Sequence, residues 1–420
     1  MMSGMDYTSY MQRVRSIHFV HVILVGLFCS LFQPPPLLAE ERFPIGLICP
    51  LTGPYAIEAQ SQKEFALLAA REINAAGGVL GKPIDIRVED TFLKPGMGIK
   101  KAEKLIQGGV RYLTGGLYSS SVTAISRVAH RNGVIHMGLG GSNDLTGKYC
   151  NSHHFNMCPA GYQMVAGTGS ILIDRLGIPK DWFAITVDYS WGQTTLSSVG
   201  EMLETRQGSL VGNAFVAVKE QDFSAALVRA MASGARVLCL IVYGKGQAQL
   251  LQQLYDLGIK KKMRVVVIAS NLNINAGLAP EVTQDIYVGL PWYWNLDNPV
   301  ARRVNALYQE TYGYPGDWPG AQVYDSIHVL AKAIEKAGSF DTGRVIPELE
   351  GMAFETSKTV SKIRACDHRV IQDWYVGIGK PVSRRESRWD IFDILGPVGG
   401  EALMLDCEHT GCRMTAAKDE

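Results

Sequence analysis

The sequence predicts an α/β fold with two lobes, each containing a parallel sheet flanked by helices. From residue 43 onwards, short β-branched runs alternate with longer segments of helical period, which is typical of strands joined by crossover helices. The short runs are apolar throughout, as strands covered on both faces should be. With 420 residues, 47% of them hydrophobic, the chain can bury two cores and is too long for a single one.

Individual elements follow from this alternation. Apolar residues at helical spacing, including Val122, Ile125 and Val128, form one face of a predicted helix. Asn132 and Gly133 end that helix, because glycine accepts a positive φ at no steric cost. No polar linker interrupts the pattern, so we expect the chain to cross between the lobes several times. The predicted strands cover residues 43–49, 84–89, 110–114, 134–137, 183–187, 237–243 and 265–269.

The N-terminal segment indicates export. Arg13 and Arg15 precede an apolar run over residues 17–32, and Ala39 offers a small residue for cleavage. These features predict a signal peptide over residues 1–39 and a mature protein in the periplasm. A membrane anchor is the alternative, but the run is shorter than the ~20 apolar residues of a spanning helix.

Charge and motifs limit the classes of function. A net charge of +1 gives no reason to expect nucleic acid or an anionic membrane as a partner, so a small-molecule ligand is expected. We expect the protein to be a monomer. Hydrolase, metalloprotease and phosphate-loop motifs are absent from the sequence, which disfavours an enzyme. The dinucleotide-binding motif is incomplete, because Asn143 occupies its third glycine position. We expect no cofactor and no metal.

The cysteines predict disulfides, because an exported protein meets an oxidising compartment. Cys49 and Cys239 lie in apolar runs and are expected to be buried free thiols. Cys150 and Cys158 could form one disulfide, and two of the last three cysteines another, but spacing alone does not fix the pairing. A zinc site combining these last cysteines with nearby histidines is the alternative. The last three are Cys366, Cys407 and Cys412.

Several motifs follow the predicted strands: PLTGP at residues 50–54, EINAAGGV at 72–79, GGLYSS at 115–120 and GGSN at 140–143. Over residues 43 to about 377, the sequence resembles the leucine/isoleucine/valine-binding family of periplasmic proteins. The resemblance implies Rossmann-like lobes joined by a three-crossing hinge, which is the type I periplasmic binding fold. We predict lobe 1 over 43–160 and 292–360, lobe 2 over 161–291 and 361–400, and a tail over 401–420.

The resemblance also implies a function and a partner. Such proteins capture a small polar ligand in their cleft and present it to the membrane permease of an ATP-driven (ABC) importer. Ser119 and Ser120 begin a helix, where hydroxyls and backbone amides favour a carboxylate; plain N-capping is the alternative. By resemblance, Ser119 and Ser142 donate hydroxyls to the ligand and Gly141 contributes its amide. For Ser142 the alternative is an ordinary polar turn residue.

The second lobe is expected to complete the ligand-binding site with aromatic side chains. Trp191 follows a predicted strand, where the family commonly has an aromatic residue that lines the cleft, and Tyr243 is similarly placed at the end of the next strong strand; a place at the edge of the core is the alternative for each. Tyr55 and Tyr162 are expected in loops that face the same opening. Asn271 completes the set of candidate contacts.

The sequence departs from the resemblance where amino-acid-binding relatives hold the ligand's ammonium group. Those relatives surround it with carboxylates, because a buried unpaired charge is costly. Gly161 and Asn271 occupy these positions here. Either Glu58 or Asp188 supplies the missing acid, or the ligand is an amide, an organic acid or a small alcohol without an ammonium group. A periplasmic sensor for a membrane receptor and an enzyme are the rival functions.

Overall fold

A computed structural model describes residues 41–414, so the predicted signal peptide and the end of the predicted tail lie outside the described residues. The first sheet has five strands in the order β2-β1-β3-β4-β5, and all of its pairings are parallel. Its strands are β1 (Phe43–Cys49), β2 (Ile84–Asp90), β3 (Tyr112–Gly116), β4 (Ile135–Leu139) and β5 (His154–Asn156). The connecting helices are α1 (Ala56–Ala75), α2 (Pro95–Gln107) and α3 (Ser119–Arg131).

The chain then builds a second sheet from five parallel strands. These strands are β6 (Asp181–Val187), β7 (Ser209–Val216), β8 (Val237–Ile241), β9 (Arg264–Val267) and β10 (Tyr287–Leu290). Helix α4 (Gly161–Gly169), which a π-helical turn over Ser170–Arg175 continues, leads into the sheet. The later helices are α5 (Ser190–Thr205), α6 (Ser224–Ala232), α7 (Lys245–Asp256), α8 (Leu272–Ala276) and α9 (Pro280–Thr283).

After β10 the chain returns to the first sheet, where helix α11 packs along α1. The helices of this part are α10 (Pro299–Tyr312), α11 (Trp318–Ala337) and α12 (Thr342–Leu349). A small antiparallel sheet follows, made of β11 (Ala353–Phe354), β12 (Ser361–Ile363) and β13 (Val370–Ile371). Two last strands, β14 (Tyr375–Gly379) and β15 (Phe392–Ile394), extend the second sheet in antiparallel fashion.

The second sheet therefore has seven strands in the order β15-β14-β10-β9-β8-β6-β7, and the chain passes between the two large sheets after β5, β10 and β13. The predicted fold class is confirmed. The lobe boundaries stay a prediction. Short 3-10 turns lie at Asn143–Thr146, Ile259–Lys261, Val382–Arg384, Gly400–Leu403 and Cys407–His409. Within residues 41–414, no helix has both the length and the apolar character needed to cross a membrane.

All of the predicted strands form, with ends that shift by a few residues. Strand β3 runs on through Gly115 and Gly116, which adopt φ values of 100° and 134°. Apolar periodicity does not extend to these positions, since glycine offers no side chain to the pattern. The sequence analysis missed β5, β7 and β10 to β15. Strand β7 lies at the edge of its sheet and is half exposed, so it lacks a continuous apolar run.

Two disulfides fasten the C-terminal tail, Cys150–Cys412 and Cys366–Cys407. The considered pairing of Cys150 with Cys158 is wrong, because Cys158 is a buried free thiol in the pocket wall and Cys150 meets the tail instead. The cysteines of the zinc alternative are oxidised and cannot act as thiolate ligands. Buried free thiols occur where they were expected, at Cys49 and Cys239.

Candidate functional site

A pocket with a cavity volume of about 30 Å³ lies between the carboxyl ends of the two large sheets. Residues that follow β3, β4 and β5 form one side, and residues that follow β6, β8 and β9 form the other. Open α/β sheets commonly bind ligands at this edge. The lining residues are Leu117, Leu139, Gly140, Gly141, Cys158, Met164, Tyr189, Trp191, Tyr243, Ala269 and Trp318.

Four aromatic side chains form a continuous wall of this pocket. The ring of Trp191 lies 6.1 Å from that of Tyr189 and 6.2 Å from that of Tyr243, measured between centroids. Trp318 extends the wall, with its ring 5.8 Å from Tyr243. Tilted and edge-on contacts of this kind stabilise aromatic clusters beyond the burial of area. The wall suits the apolar or aromatic body of a ligand.

Gly141 allows Trp191 to cross the pocket. A Cβ atom at Gly141 would lie 2.6 Å from Cδ1 and 2.8 Å from Nε1 of the indole, so any side chain there would displace the ring. The indole Nε1 is buried and has no hydrogen-bond partner among the described residues. Because an indole N–H can only donate, this atom is available to an acceptor on a ligand.

The predicted serines lie directly behind this part of the wall. Ser119 begins α3, is fully buried, and its Oγ accepts a hydrogen bond of 3.2 Å from the Ser142 amide. Ser142 caps a short turn, where its Oγ accepts the Asp144 amide at 3.4 Å and lies 3.5 Å from Thr194 Oγ1 of α5. Ser120 is half-buried on the first turn of α3 and is not part of the wall.

Asn271 joins the two sides of the site through its side chain. Its Nδ2 donates to Glu58 Oε1 on α1 at 3.0 Å and to the Tyr243 hydroxyl at 3.1 Å, while its Oδ1 caps α8. Glu58 is fully buried, and its Oε2 has no partner among the described residues. Burial raises the pKa of Glu58 to about 8, so the carboxyl is mostly uncharged at neutral pH. Asp188, the other acid considered, is exposed.

The two remaining candidates lie outside the pocket wall. Tyr55 precedes α1 and is buried, with its hydroxyl 3.3 Å from the Tyr189 hydroxyl and its ring 5.6 Å from that of Tyr243. Tyr162 was expected in a loop but lies in the first turn of α4, because Gln163 accepts the Ala160 amide and starts a helix there. Of the predicted contacts, Gly141, Trp191 and Tyr243 line the pocket, and Tyr162 and Ser120 do not. Ser119, Ser142, Asn271 and Tyr55 lie outside the lining and contact these lining residues or their neighbours.

Several hydrogen bonds cross the cleft. Asn143 Nδ2 donates to Ser198 Oγ of α5 at 3.1 Å. The Lys245 amide at the start of α7 donates to the Pro54 carbonyl at 2.9 Å. Together with the bond from Asn271 to Glu58, these contacts join elements of the first sheet to elements of the second. The structure is thus a closed arrangement of the cleft.

The sequence analysis named three of the eleven lining residues as contacts, Gly141, Trp191 and Tyr243, and missed the other eight. Tyr189 lies two positions before Trp191 and follows the same strand, so the aromatic pair was a usable signal. Trp318 reaches the pocket from α11, after the chain has returned to the first sheet, and no local pattern indicates this. The sequence around Met164 and Cys158 gives no sign of a ligand contact, because buried methionine and cysteine side chains more commonly belong to the core.

Comparisons with known proteins agree on one fold. Residues 43–380 match the sequence model of a family described as periplasmic binding protein. The leucine-, isoleucine-, valine-, threonine- and alanine-binding protein of Pseudomonas aeruginosa is 24% identical over 331 residues, covering 76% of this chain and 85% of that protein. An amino acid ABC transporter substrate-binding protein from Pseudomonas fluorescens is 27% identical, with a TM-score of 0.83 and coverage of 90% of this chain and 100% of that one.

A more distant solved structure carries a bound ligand. It is a solute binding protein of an ABC transporter from Rhodopseudomonas palustris, in complex with 3,4-dihydroxy benzoic acid. It is 18% identical to this chain, has a TM-score of 0.77, and covers 86% of this chain and 98% of its own. At this identity the likeness concerns the fold.

Proposed function

Because the chain belongs to the periplasmic binding protein family, we propose that it captures a small polar ligand by closure of two lobes for delivery to an ABC importer. The match of residues 43–380 to the family model confirms the family resemblance that was inferred from the sequence. One observation carries the proposal: an aromatic-walled pocket lies between two sheets whose connecting elements touch across it. The proposed partner is the membrane permease of that importer, and the proposed state of the protein is monomeric.

The proposed location is the periplasm, after removal of residues 1–39. Two disulfides support it, since such bonds form and persist in oxidising compartments. The disulfide between Cys150 and Cys412 joins the end of the chain to the first sheet's β4–β5 connection, which is a structural and not a catalytic use of cysteine.

We propose that the ligand is amino-acid-like, an amide or an organic acid. Names of similar proteins support two of these classes, amino acids and organic acids, since one relative is named for leucine and other amino acids and one neighbour was solved with a benzoic acid. Ser119, Ser142 and the Gly141 amide are proposed to hold its polar end. Trp191 and Tyr243 are proposed to cover its body, with Asn271 tying the two sides together.

The proposed mechanism is a shift between open and closed forms. A ligand that binds one lobe favours closure only if the second lobe adds contacts, because a ligand with equal affinity for both forms shifts nothing. Trp191 and Tyr243 follow strands of the second sheet and face Gly141 of the first, so they can make such contacts. The permease would then recognise the closed form.

A thermal-shift screen of the mature protein against amino acids, amides, organic acids and alcohols tests this function. A ligand that binds only the folded protein raises the melting temperature by mass action. Trp191→Ala should abolish the shift, whereas Phe215→Ala, at an exposed position on edge strand β7, should retain it. Chemical conversion of a stabilising compound would contradict the proposal. Binding without transport in vesicles that contain the permease would favour the rival function of a sensor.

A further inference from the structure

Two buried cations lie behind the pocket wall that includes Cys158. Arg369 is 0% exposed and Lys358 is 2% exposed. Among residues 41–414, neither side chain has a carboxylate oxygen within the 4.0 Å of an ion pair, and each donates to neutral oxygens alone. Burial raises the pKa of the Cys158 thiol, and the charges of both cations oppose that rise.

Arg369 is separated from the pocket by a single layer of backbone. Its Nη1 donates to the Cys158 carbonyl at 3.1 Å and its Nη2 lies 3.5 Å from the Ser142 carbonyl. Its Nε donates to Thr146 Oγ1 at 2.7 Å. Cys158 lines the pocket, and Ser142 follows Gly141, which also lines it. The guanidinium charge therefore acts on the pocket through one peptide group.

Lys358 lies further along the same side. Its Nζ donates to the Pro291 carbonyl at 2.7 Å and to Gln372 Oε1 at 2.6 Å. Gln372 in turn donates to the Met157 carbonyl, next to Cys158, at 2.8 Å. This chain of hydrogen bonds holds the ammonium group behind the wall.

The nearest acids of Lys358 are bound to other partners. Asp325 accepts hydrogen bonds from Thr356 and from Ser357, the latter at 2.8 Å. Asp373 accepts from Thr359 at 2.8 Å and from the Gly400 amide at 3.1 Å. These carboxylates influence Lys358 through space, but they are not in contact with it.

The acids on the opposite side of the pocket are not in contact with the two cations. Burial raises the pKa of Asp317 to about 6, so it is still charged at neutral pH, and three backbone amides, from Leu272, Asn273 and Trp318, stabilise that charge. Glu58 is mostly uncharged in this closed arrangement. Asp367, which accepts the backbone amide of Arg369, is in an ion pair with Arg364 and not with the Arg369 guanidinium. A buried charge without a counterion in contact is costly, so an anion in the pocket would be favoured and a second cation disfavoured.

We propose that Arg369 and Lys358 are positioning residues that make the pocket select a ligand of net negative charge. The ligand is a carboxylic acid with an apolar or aromatic body and no ammonium group. Its carboxylate lies at the end formed by Gly140, Gly141 and Cys158, and its body lies against the aromatic wall. This inference rests on the proposed solute-binding function and narrows its ligand.

Calorimetry with probes that share a skeleton and differ in charge tests the selection. One set is 4-methylpentanoate, 4-methylpentanamide and leucine; the other is phenylacetate, phenylacetamide and phenylglycine. In at least one set, the carboxylate should bind at least tenfold more tightly than its amide and its amino acid. An amide or amino acid that binds as tightly overturns the inference and leaves the solute-binding function standing. If neither carboxylate binds, the inference is also overturned, and the wider thermal-shift panel decides the function.

Variants test whether the two cations cause the selection. Lys358→Met and Arg369→Met should each lower the affinity ratio of carboxylate to amide at least tenfold, while amide affinity stays within twofold. A merely structural role would weaken both probes together and leave the ratio unchanged. Lys101→Gln is the control, since Lys101 pairs with Glu89 in the first lobe's α2–β2 contact and should not alter the ratio. If Arg369→Met does not fold, an unchanged ratio in a folded Lys358→Met variant overturns the proposal.

Discussion

Glu58→Gln should remove a pH dependence of ligand binding that this buried carboxyl imposes on closure. In the closed arrangement, burial raises the pKa of Glu58 from 4.5 to about 8, and the Asp317 carboxylate adds to the rise while the Asn271 amide opposes it. The other titratable groups that face Glu58 are Tyr55 and Tyr243, which stay neutral. Opening exposes the carboxyl to water and returns its pKa toward its ordinary value.

The magnitude follows from proton linkage. Between these two pKa values the closed form binds one more proton than the open form, so affinity falls as pH rises, by up to about tenfold per pH unit. From about pH 6.5 to about pH 7.5, above the pKa of about 6 to which burial raises Asp317, the dissociation constant should rise by up to ~10-fold, or about 1.4 kcal/mol. This window lies below the pKa of Lys358, which burial lowers to about 8.

Calorimetric titration with a carboxylate probe that stays ionised across the window measures this effect. The unaltered protein should lose affinity as pH rises, and Glu58→Gln should give a flat profile, since the amide does not titrate. Asp188→Asn removes an exposed acid near the same cleft and should keep the slope of the unaltered protein. A slope that survives in Glu58→Gln would refute the reasoning.

Three further outcomes are expected. Ser119→Ala should weaken binding more than tenfold, at least ~1.4 kcal/mol, and unchanged affinity in calorimetry would remove Ser119 from the site. Replacing both Cys150 and Cys412 by serine should lower the free energy of unfolding by about 2–5 kcal/mol in denaturant titrations, whereas an unchanged midpoint would contradict this pairing. Burial lowers the pKa of His136 to about 3 and that of His154 well below 6.5. Stability should therefore fall as pH drops below about 6.5, because the unfolded chain takes up protons that the folded chain excludes; His136→Gln should reduce this loss in urea unfolding at about pH 5 relative to about pH 7.

The fold was predictable from the sequence where burial is complete. Strands β1, β4 and β8 are covered on both faces, so their sequences are continuous apolar runs that stand out from the helical segments. Edge strand β7 exposes Val211 and Phe215, which breaks the run. Strands β11 to β13 are too short to give any period.

Part of the site was predictable for a related reason. Ser119, Gly141, Trp191 and Tyr243 follow strands, and the carboxyl ends of parallel strands meet at one edge of a sheet. Contacts between distant parts of the chain had no local signal. The acid that bonds to Asn271 comes from α1, at a separation of 213 residues.

The cysteine pairing and the burial of the two cations also depend on contacts between distant parts of the chain, which no local sequence pattern indicates. Cys150 pairs across a separation of 262 residues, whereas the nearer Cys158 points into the pocket wall. Arg369 follows His368 in a polar stretch, where an arginine is usually exposed. Its burial depends on carbonyls at Ser142 and Cys158 that only the folded chain brings to it.

Closure over an unmodified solute is the central claim, and small-angle X-ray scattering of the mature protein with its tightest-binding solute tests it most directly. The radius of gyration should fall when the solute is added, and the solute should be recovered unchanged from the sample. A radius that does not change at saturation, or a solute that emerges chemically altered, would contradict the account.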